Sequence, residues 1–250
     1  MDLGLNGAKV LVSGGSRGIG RAIAECFLAE GAEVAFCARS PEGVADAQRA
    51  LGERSHGSAV DVTDADAIAR WIAEAGERMG GIDIVVPNVS ALAGGGDLAT
   101  WRRAFETDIL GSVAMANAAL PFLRESAIAS VVLVSSVSGR EVDMFAEPYG
   151  VLKAALIHYG KTLSERHAAD GIRVNTVSPG NVYFPDGVWG SIEREAPDVF
   201  ERCMAQNPFG RMARPDEVAK AVVFLASPAA SFTTGTNLLV DGGLTKAVQF

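Results

Sequence analysis

The sequence lacks any basic cluster, and its formal net charge is −8 at pH 7. A polyanion such as DNA or RNA would meet a repulsive field at this surface, so we expect no nucleic-acid partner. A small anionic ligand remains compatible with the charge, because a few donors at a helix N-terminus act locally. The charge therefore excludes one class of partner without excluding a phosphate-bearing small molecule.

Cysteine and histidine are scarce as well. The three cysteines form no CxxC pair, and the three histidines are too scattered for a metal-binding motif. We therefore predict neither a disulfide framework nor a metal site. Cys26 and Cys37 lie within apolar runs, where we expect buried thiols that act as small hydrophobic residues.

Long hydrophobic runs are missing too. No stretch of about 20 apolar residues is present that could span a bilayer. The segment 1–9 lacks the basic stretch and apolar core of a secretion signal. We expect a soluble protein of the cytoplasm, in a reducing compartment, with no membrane partner.

The sequence instead contains short apolar runs that alternate with longer amphipathic ones. The short runs are almost continuously apolar, which is typical of a parallel sheet covered by helices on both faces. Strands are predicted at residues 9–13, 33–38, 58–60, 82–86, 130–135, 172–178 and 237–240. Helices are predicted at residues 18–30, 41–53, 64–79, 100–124, 148–169 and 215–226. This alternation predicts an α/β fold with a doubly wound sheet of about seven strands.

No linker rich in proline and glycine divides the chain, so residues 1–250 are expected to form one domain. Only segment 179–210 breaks the alternation, and it carries aromatic residues among prolines and glycines. A long irregular segment in a compact domain is usually functional, so we predict a substrate-binding loop or lid there. Phe184 and Trp189 within it are candidates for substrate contact, lid packing or a subunit contact.

A glycine-rich turn follows the first predicted strand and opens the first predicted helix, with the spacing GxxxGxG. Glycines let the backbone turn sharply, and the free amides of a helix N-terminus bind a pyrophosphate. In this α/β context the turn predicts a dinucleotide-binding Rossmann domain. The cofactor-binding residues predicted here are Gly14, Ser16, Arg17, Gly18, Ile19 and Gly20.

The end of the second predicted strand favours NADP(H) over NAD(H). An NAD site usually carries an acidic residue there, which holds the ribose 2′-hydroxyl. This chain has Ala38 and Arg39 instead. Arg39 suits a 2′-phosphate, and Arg17 could help from the first turn. The alternative is that both arginines are solvated surface residues.

Tyr149 and Lys153 stand four residues apart near the start of a predicted helix, so the phenol and the ammonium share one face. A nearby cation favours phenolate over phenol, and such a tyrosine can exchange a proton with an alcohol. Ser136 follows the strand predicted at 130–135, at the edge where open α/β sheets bind ligands. We therefore predict a proton-transfer site in which Ser136 hydrogen-bonds the substrate oxygen.

These motifs resemble the short-chain dehydrogenase/reductase family over nearly the whole chain. The family's glycine motif, its Ser, Tyr and Lys, and its Pro-Gly after the sixth strand all have counterparts here. By that resemblance Lys153 would also hold the nicotinamide ribose, and the protein would be a homotetramer, with a homodimer as the alternative. The resemblance extends the expected cofactor contacts to Asp61, Val62, Asn88, Pro179, Gly180 and Val182.

Three positions depart from the family pattern. Segment 87–90, Pro-Asn-Val-Ser, stands where the family has Asn-Asn-Ala-Gly. Phe184 replaces a threonine that contacts the carboxamide, and Asp108 replaces the helix asparagine counted as a fourth catalytic residue. We keep Asp108 as a catalytic candidate, expected either to bind a water or to pair with Lys153. A strong pair would weaken the pull of the lysine on Tyr149.

The sequence thus predicts an NADP(H)-dependent oxidoreductase that transfers a hydride between nicotinamide and a ketone or secondary alcohol. Its substrate is expected to be a small to medium, mostly apolar molecule. Fatty acyl thioesters, cyclic ketones, steroids and sugar-derived ketones all stay open. So do two other functions: a nucleotide-binding regulator or scaffold with weak catalysis, and a lyase or isomerase that uses the same tyrosine. Arg140, Glu141 and Asp143 are either polar substrate contacts or an exposed loop.

Overall fold

Seven strands form one parallel sheet within residues 2–142 and 147–248, the part of the chain that this computed structural model describes. The strands are β1 Lys9–Ser13, β2 Glu33–Ala38, β3 Ser55–Ala59, β4 Ile84–Val86, β5 Ser130–Val134, β6 Arg173–Pro179 and β7 Asn237–Val240. Their order is β3-β2-β1-β4-β5-β6-β7. The order reverses between β1 and β4, which is where doubly wound sheets bind ligands. The predicted Rossmann fold is confirmed.

Helices cover both faces of this sheet. They are α1 Gly18–Ala29, α2 Pro41–Leu51, α3 Ala65–Met79, α4 Leu98–Ala104, α5 Gly111–Leu123, α6 Tyr149–His167, α7 Val188–Glu195, α8 Pro197–Ala205 and α9 Pro215–Ala226. Local signals set several of their starts. Ser40 accepts a hydrogen bond from Gly43 N at the start of α2, and Asp64 accepts one from Ala67 N in α3.

The continuous apolar character of the strands follows from a core on each face of the sheet. Successive side chains of a strand point to opposite faces. Val10 and Val12 of β1 therefore pack in one core, with α1, α2 and α9. Leu11 packs in the other core, with α3 and α5.

Two parts of the sequence prediction were wrong. The third strand is Ser55–Ala59 rather than residues 58–60, and it is polar because it lies at the edge of the sheet and pairs with β2. Segment 179–210 is not irregular, since it contains α7 and α8. Pro197 begins α8 rather than breaking it, because the first helical position needs no N–H donor. Trp189, Cys203 and Met212 form a small core beneath these helices.

The helix predicted at 100–124 also has an unpredicted feature. Between α4 and α5 the backbone forms a π-helical turn, Phe105–Leu110, without interrupting the helix. Such turns are rare and occur frequently at functional sites. Asp108 lies in this turn and is buried, and the turn packs against α6.

Across residues 2–142 and 147–248, no helix combines the length and apolar character needed to cross a bilayer.

Candidate active site

A cavity of about 860 Å³ lies at the carboxyl edge of the sheet, where residues that follow β1, β2, β4, β5 and β6 line it. Its volume falls within the range of about 300–1,000 Å³ that is usual for ligand pockets. Most of the predicted site residues meet on its wall. They are Gly14, Ser16, Arg17, Gly18, Ile19, Gly20, Arg39, Val62, Asn88, Ser136, Tyr149, Lys153, Pro179, Gly180 and Val182.

The turn between β1 and α1 depends on its glycines. Gly14 and Gly18 have φ angles of 71° and 55°, in the left-handed region that favours glycine. A Cβ at Gly20 would lie 2.2 Å from Gly14 O and 2.5 Å from Asn88 Nδ2. Asn88 in turn donates from Nδ2 to Ser13 O at 3.0 Å. The turn is therefore packed backbone to backbone against the loop after β4.

The N-terminus of α1 suits an anionic ligand. Its N-cap residue is Arg17, whose side chain makes no capping hydrogen bond to the helix. The first-turn amides therefore need acceptors, and the helix dipole favours a negative charge at this end. A pyrophosphate bound to this turn would meet both requirements.

Arg17 and Arg39 line the cavity wall together with Ser40 at the start of α2. Asp61 was expected to contact the cofactor, but it lies off this wall and is exposed. The backbone N–H and hydroxyl of Thr63 donate to it at 2.9 and 2.8 Å. The backbone hydrogen bond is the main cause that lowers the pKa of Asp61, and the positive charge of Arg39 adds to it. Asp61 thus shapes the turn that leads to α3.

Close backbone packing brings the residues after β5 against α6. A Cβ at Gly139 would lie 2.6 Å from the carbonyl carbon of Lys153, and one at Gly150 would lie 2.7 Å from Ser138 O. Ser136 Oγ accepts a hydrogen bond from Ser138 N at 3.2 Å. This packing puts Ser136 on the same wall as the first turns of α6.

Lys153 and Tyr149 also lie close together on the cavity wall. The Nζ atom of Lys153 lies 5.7 Å from the centroid of the Tyr149 ring. The lysine side chain is only 2% exposed, and its Nζ donates to Val134 O at 3.3 Å. The structure thus places a buried ammonium beside the ring of Tyr149.

Asp108 lies behind Lys153 rather than on the cavity wall. Its Oδ1 is 3.2 Å from Lys153 Nζ, and both side chains are buried. Pairing with Lys153, one of the two roles that the sequence left open for Asp108, is therefore present. Sequence reasoning missed two further partners: Ser90 Oγ donates to Asp108 Oδ1 at 2.5 Å, and Ala91 N donates to Oδ2 at 2.8 Å.

Phe184 and Trp189 both reach the cavity from segment 179–210. A Cβ at Gly18 would lie 2.6 Å from Cζ of Phe184, so the phenyl ring covers the glycine-rich turn where the family pattern has a threonine. Trp189 packs edge-on against Phe200, with ring centroids 6.4 Å apart. Segment 179–210 therefore supplies one wall of the cavity.

Arg140 and Glu141, two of the charged residues that follow Ser136, do not line the cavity. Glu141 Oε1 accepts hydrogen bonds from the backbone N–H groups of Lys246 and Ala247, at 2.9 and 2.8 Å. Arg140 is exposed. Asp143 lies outside the described residues. The exposed-loop interpretation therefore fits Arg140, whereas Glu141 binds backbone amides of the C-terminal segment.

Cys26 and Cys37 are half-buried and buried, respectively. Burial raises the pKa of the Cys37 thiol to about 12, and burial is also the main cause that raises the pKa of Cys26. Both shifts favour the protonated thiol, which is a poor nucleophile. These cysteines are structural, as expected from their apolar surroundings.

The substitution Gly20→Ala tests the packing of the glycine-rich turn. The added Cβ would collide with Gly14 O, so we expect a loss of about 2–4 kcal/mol in the free energy of unfolding and weaker dinucleotide binding. Gly96→Ala is the control, because a Cβ there meets no atom within 4 Å. Chemical denaturation and fluorescence titration with NADPH measure the two effects. Equal behaviour of the two variants would contradict the account of the turn.

Known proteins are similar to this chain over nearly its whole length. A family model described as enoyl-(acyl carrier protein) reductase matches residues 14–245. Isoepoxydon dehydrogenase from Penicillium expansum is 40% identical over 259 residues, covering 100% of this chain and 99% of that protein. Cis-4-hydroxycyclohexanecarboxylate dehydrogenase from Sinomonas cyclohexanicum is 35% identical over 242 residues, covering 94% of this chain and 95% of that protein.

A solved structure is similar over the same length. It is L-sorbose reductase from Gluconobacter frateurii in complex with NADPH and L-sorbose. Its TM-score is 0.92 at 29% sequence identity, and the match covers 99% of this chain and 100% of that chain. Because fold, motifs and relatives agree over almost the whole length, the chain belongs to the short-chain dehydrogenase/reductase family.

Proposed function

We propose that this protein is an NADP(H)-dependent oxidoreductase that acts on a ring ketone or a ring secondary alcohol. The observation that carries the proposal is a shared wall: Tyr149 and Lys153 line the same cavity as the glycine-rich turn and Arg39. The oxidoreductase class is supported by relatives that are named dehydrogenases and reductases. When bound, the nicotinamide would donate or accept the hydride.

The residues of the cavity fit a dinucleotide. The glycine-rich turn and the amides of α1 would hold the pyrophosphate. Gly20 must remain glycine for the turn to form, because a Cβ there would collide with Gly14 O. Val62 would contact the adenine. Asn88, Lys153 and the segment from Pro179 to Val182 would hold the nicotinamide half. We assign Asp61 an indirect role, through the turn that it shapes before α3.

The choice of NADP(H) rests on charge. Arg17 and Arg39 line the cavity, and no acidic residue stands at the end of β2 to hold a ribose 2′-hydroxyl. Two guanidinium groups suit the oxygens of a 2′-phosphate. The similar L-sorbose reductase was solved with NADPH, which agrees with this assignment.

The protein's own residues would move the proton. Tyr149 would donate its phenolic proton to the substrate oxygen during reduction, and would accept one from the alcohol during oxidation. Ser136 would donate a hydrogen bond to the same oxygen. The Lys153 ammonium would stabilise the phenolate, while Asp108 would balance the buried charge of the lysine.

The substrate class is inferred from the wall of the cavity that Tyr149 lines and from relatives. Apolar residues there would pack on the faces of a ring, and polar ones could bind a second substituent. The apolar ones include Leu92, Val188 and Trp189, and the polar ones include Ser138, Asn181 and Asp186. One relative is named for a hydroxycyclohexanecarboxylate, a ring with one hydroxyl and one carboxylate. We propose a ring of this size as the substrate, with segment 179–210 as the lid over it.

Three further expectations belong to this proposal. We expect residues 1–250 to act as a single dinucleotide-binding and catalytic domain. The homotetramer, with a homodimer as its alternative, would bury apolar side chains that are exposed in the single chain, such as Phe105, Leu110, Phe224 and Phe232. The cytoplasmic location stays a prediction from the sequence.

Replacing Tyr149 by Phe tests the proton transfer. The variant should bind NADPH normally and lose about 10²–10⁴-fold in kcat, the usual contribution of general acid–base catalysis. The probe reaction is reduction of 4-oxocyclohexanecarboxylate, followed by the loss of NADPH absorbance.

The matched control for this experiment is Tyr159→Phe, on the same helix. Burial raises the pKa of Tyr159 to about 12, and among the described residues its hydroxyl has no hydrogen-bond partner. Removing the Tyr159 hydroxyl should leave kcat within about twofold of the wild-type value, because a hydroxyl without a hydrogen-bond partner contributes little to the structure around it. Near-normal turnover in Tyr149→Phe would rule out the proposed role.

Replacing Arg39 by Ala tests the cofactor assignment. The loss of a charged hydrogen-bond donor should raise the Kd for NADPH by about 10- to 100-fold and leave the Kd for NADH nearly unchanged. Arg49→Ala removes an exposed arginine of α2 that pairs with Asp46, and should change neither value. Fluorescence titration measures all four constants. An equal change for both cofactors, or none, would argue against Arg39 as the 2′-phosphate ligand.

A further inference from the structure

The carboxylate of Asp108 has a partner on each oxygen. Oδ1 accepts from Ser90 Oγ at 2.5 Å and lies 3.2 Å from Lys153 Nζ, while Oδ2 accepts from Ala91 N at 2.8 Å. A buried ion pair is tolerated only when further hydrogen bonds satisfy its atoms. Ser90 and the amide of Ala91 meet this need and leave the carboxylate a single orientation.

This carboxylate joins three separate segments. Ser90 and Ala91 belong to the loop after β4, Asp108 lies in the π-helical turn, and Lys153 lies on α6. The turn is fastened from its other side as well, because Ser112 Oγ donates to Asp108 O at 2.7 Å. The position of the lysine therefore depends on a loop that is distant in sequence.

The orientation of Lys153 follows from these contacts. An ammonium has three N–H donors. Asp108 Oδ1 and Val134 O take two of them, at 3.2 and 3.3 Å. The third can serve an acceptor on the cavity side, which Lys153 lines. If the carboxylate rotated, the ammonium would lose one of its two fixed partners.

Two departures from the family pattern are in direct contact here. Ser90 stands where the pattern has glycine, and Asp108 stands where it has asparagine. Glycine has no hydroxyl to donate, and an asparagine would carry no charge to balance Lys153. The Ser90 hydroxyl and the Asp108 carboxylate are therefore complementary, because the hydroxyl donates to the carboxylate that pairs with Lys153.

We propose that Ser90 is a positioning residue of this active site, which acts on Lys153 through Asp108. Its hydroxyl fixes the Asp108 carboxylate, and the carboxylate fixes the ammonium 5.7 Å from the ring centroid of Tyr149. The inference rests on the proposed function, because it assigns Lys153 a part in proton transfer.

The test is a double-mutant cycle built from S90A, D108N and the double variant. We expect S90A to lower kcat about tenfold, since it removes a hydrogen bond to a buried charged group, with a change in substrate KM of less than about threefold. In the D108N background, S90A should change kcat by less than about twofold. S90T restores the hydroxyl and should recover most of the lost kcat.

Ser164→Ala is the matched control, because Ser164 is a buried serine on α6 that donates to the backbone carbonyl of Lys161. It should leave kcat unchanged in both backgrounds. An equal effect of S90A with and without D108N, or no effect on kcat at all, would overturn the proposal.

Chemical denaturation of the same variants gives a readout that needs neither cofactor nor turnover. S90A should lower the midpoint in the otherwise unchanged protein and shift it much less in the D108N background. Equal shifts of the midpoint in both backgrounds would contradict the contact between Ser90 and Asp108. Failure of the proposed function is recognised separately, by near-normal turnover in Tyr149→Phe.

Discussion

The active site depends on the parallel direction of the sheet. Parallel strands need a crossover between them, so every strand ends at the same edge. The residues after β1, β2, β4, β5 and β6 therefore meet in one cavity, although they are far apart in sequence. The strand order reverses between β1 and β4, and this reversal leaves a crevice at the carboxyl edge of the sheet. The glycine-rich turn beside it would let a phosphate approach the N-terminus of α1.

The second constraint is the balance of the buried positive charge of Lys153. Lys153 is almost fully buried, and a buried ammonium is stable only with an opposite charge or good acceptors. Asp108 supplies the charge, and Val134 O supplies a further acceptor. The carboxylate offsets part of the field that the lysine exerts on Tyr149. This arrangement differs from the family pattern in the residue that faces the lysine, while the lysine and tyrosine themselves are retained.

The sequence predicted the features that depend on local spacing. The glycine-rich turn, the i, i+4 pair of Tyr149 and Lys153, and the apolar strands of a covered sheet each lie within a short stretch of chain. These features were sufficient to predict the fold, and together with the family resemblance they chose 15 residues that lie on the cavity wall.

The sequence pattern did not indicate the remaining features, and one of them depends on packing between distant segments. The contact of Ser90 with Asp108 requires the loop after β4 to meet the π-helical turn, and nothing in the local pattern indicates that turn. Asp61 lies off the cavity wall, and Thr63 donates two hydrogen bonds to its carboxylate. The helices α7 and α8 were missed because prolines and glycines were interpreted as loop signals, although Pro197 begins a helix. Only the contact of Ser90 with Asp108 is tertiary, whereas Thr63 stands two residues from Asp61 and Pro197 acts at the start of its own helix.

The central claim is that oxidation of a ring alcohol and reduction of NADP⁺ occur in one cavity. The most direct measurement uses 4-hydroxycyclohexanecarboxylate that carries deuterium on its carbinol carbon, with NADP⁺ and the wild-type protein. Mass spectrometry of the reduced cofactor should find the deuterium on the nicotinamide ring. Conversion of the substrate with an unlabelled, unreduced cofactor would contradict the claim and would assign the tyrosine to lyase or isomerase chemistry.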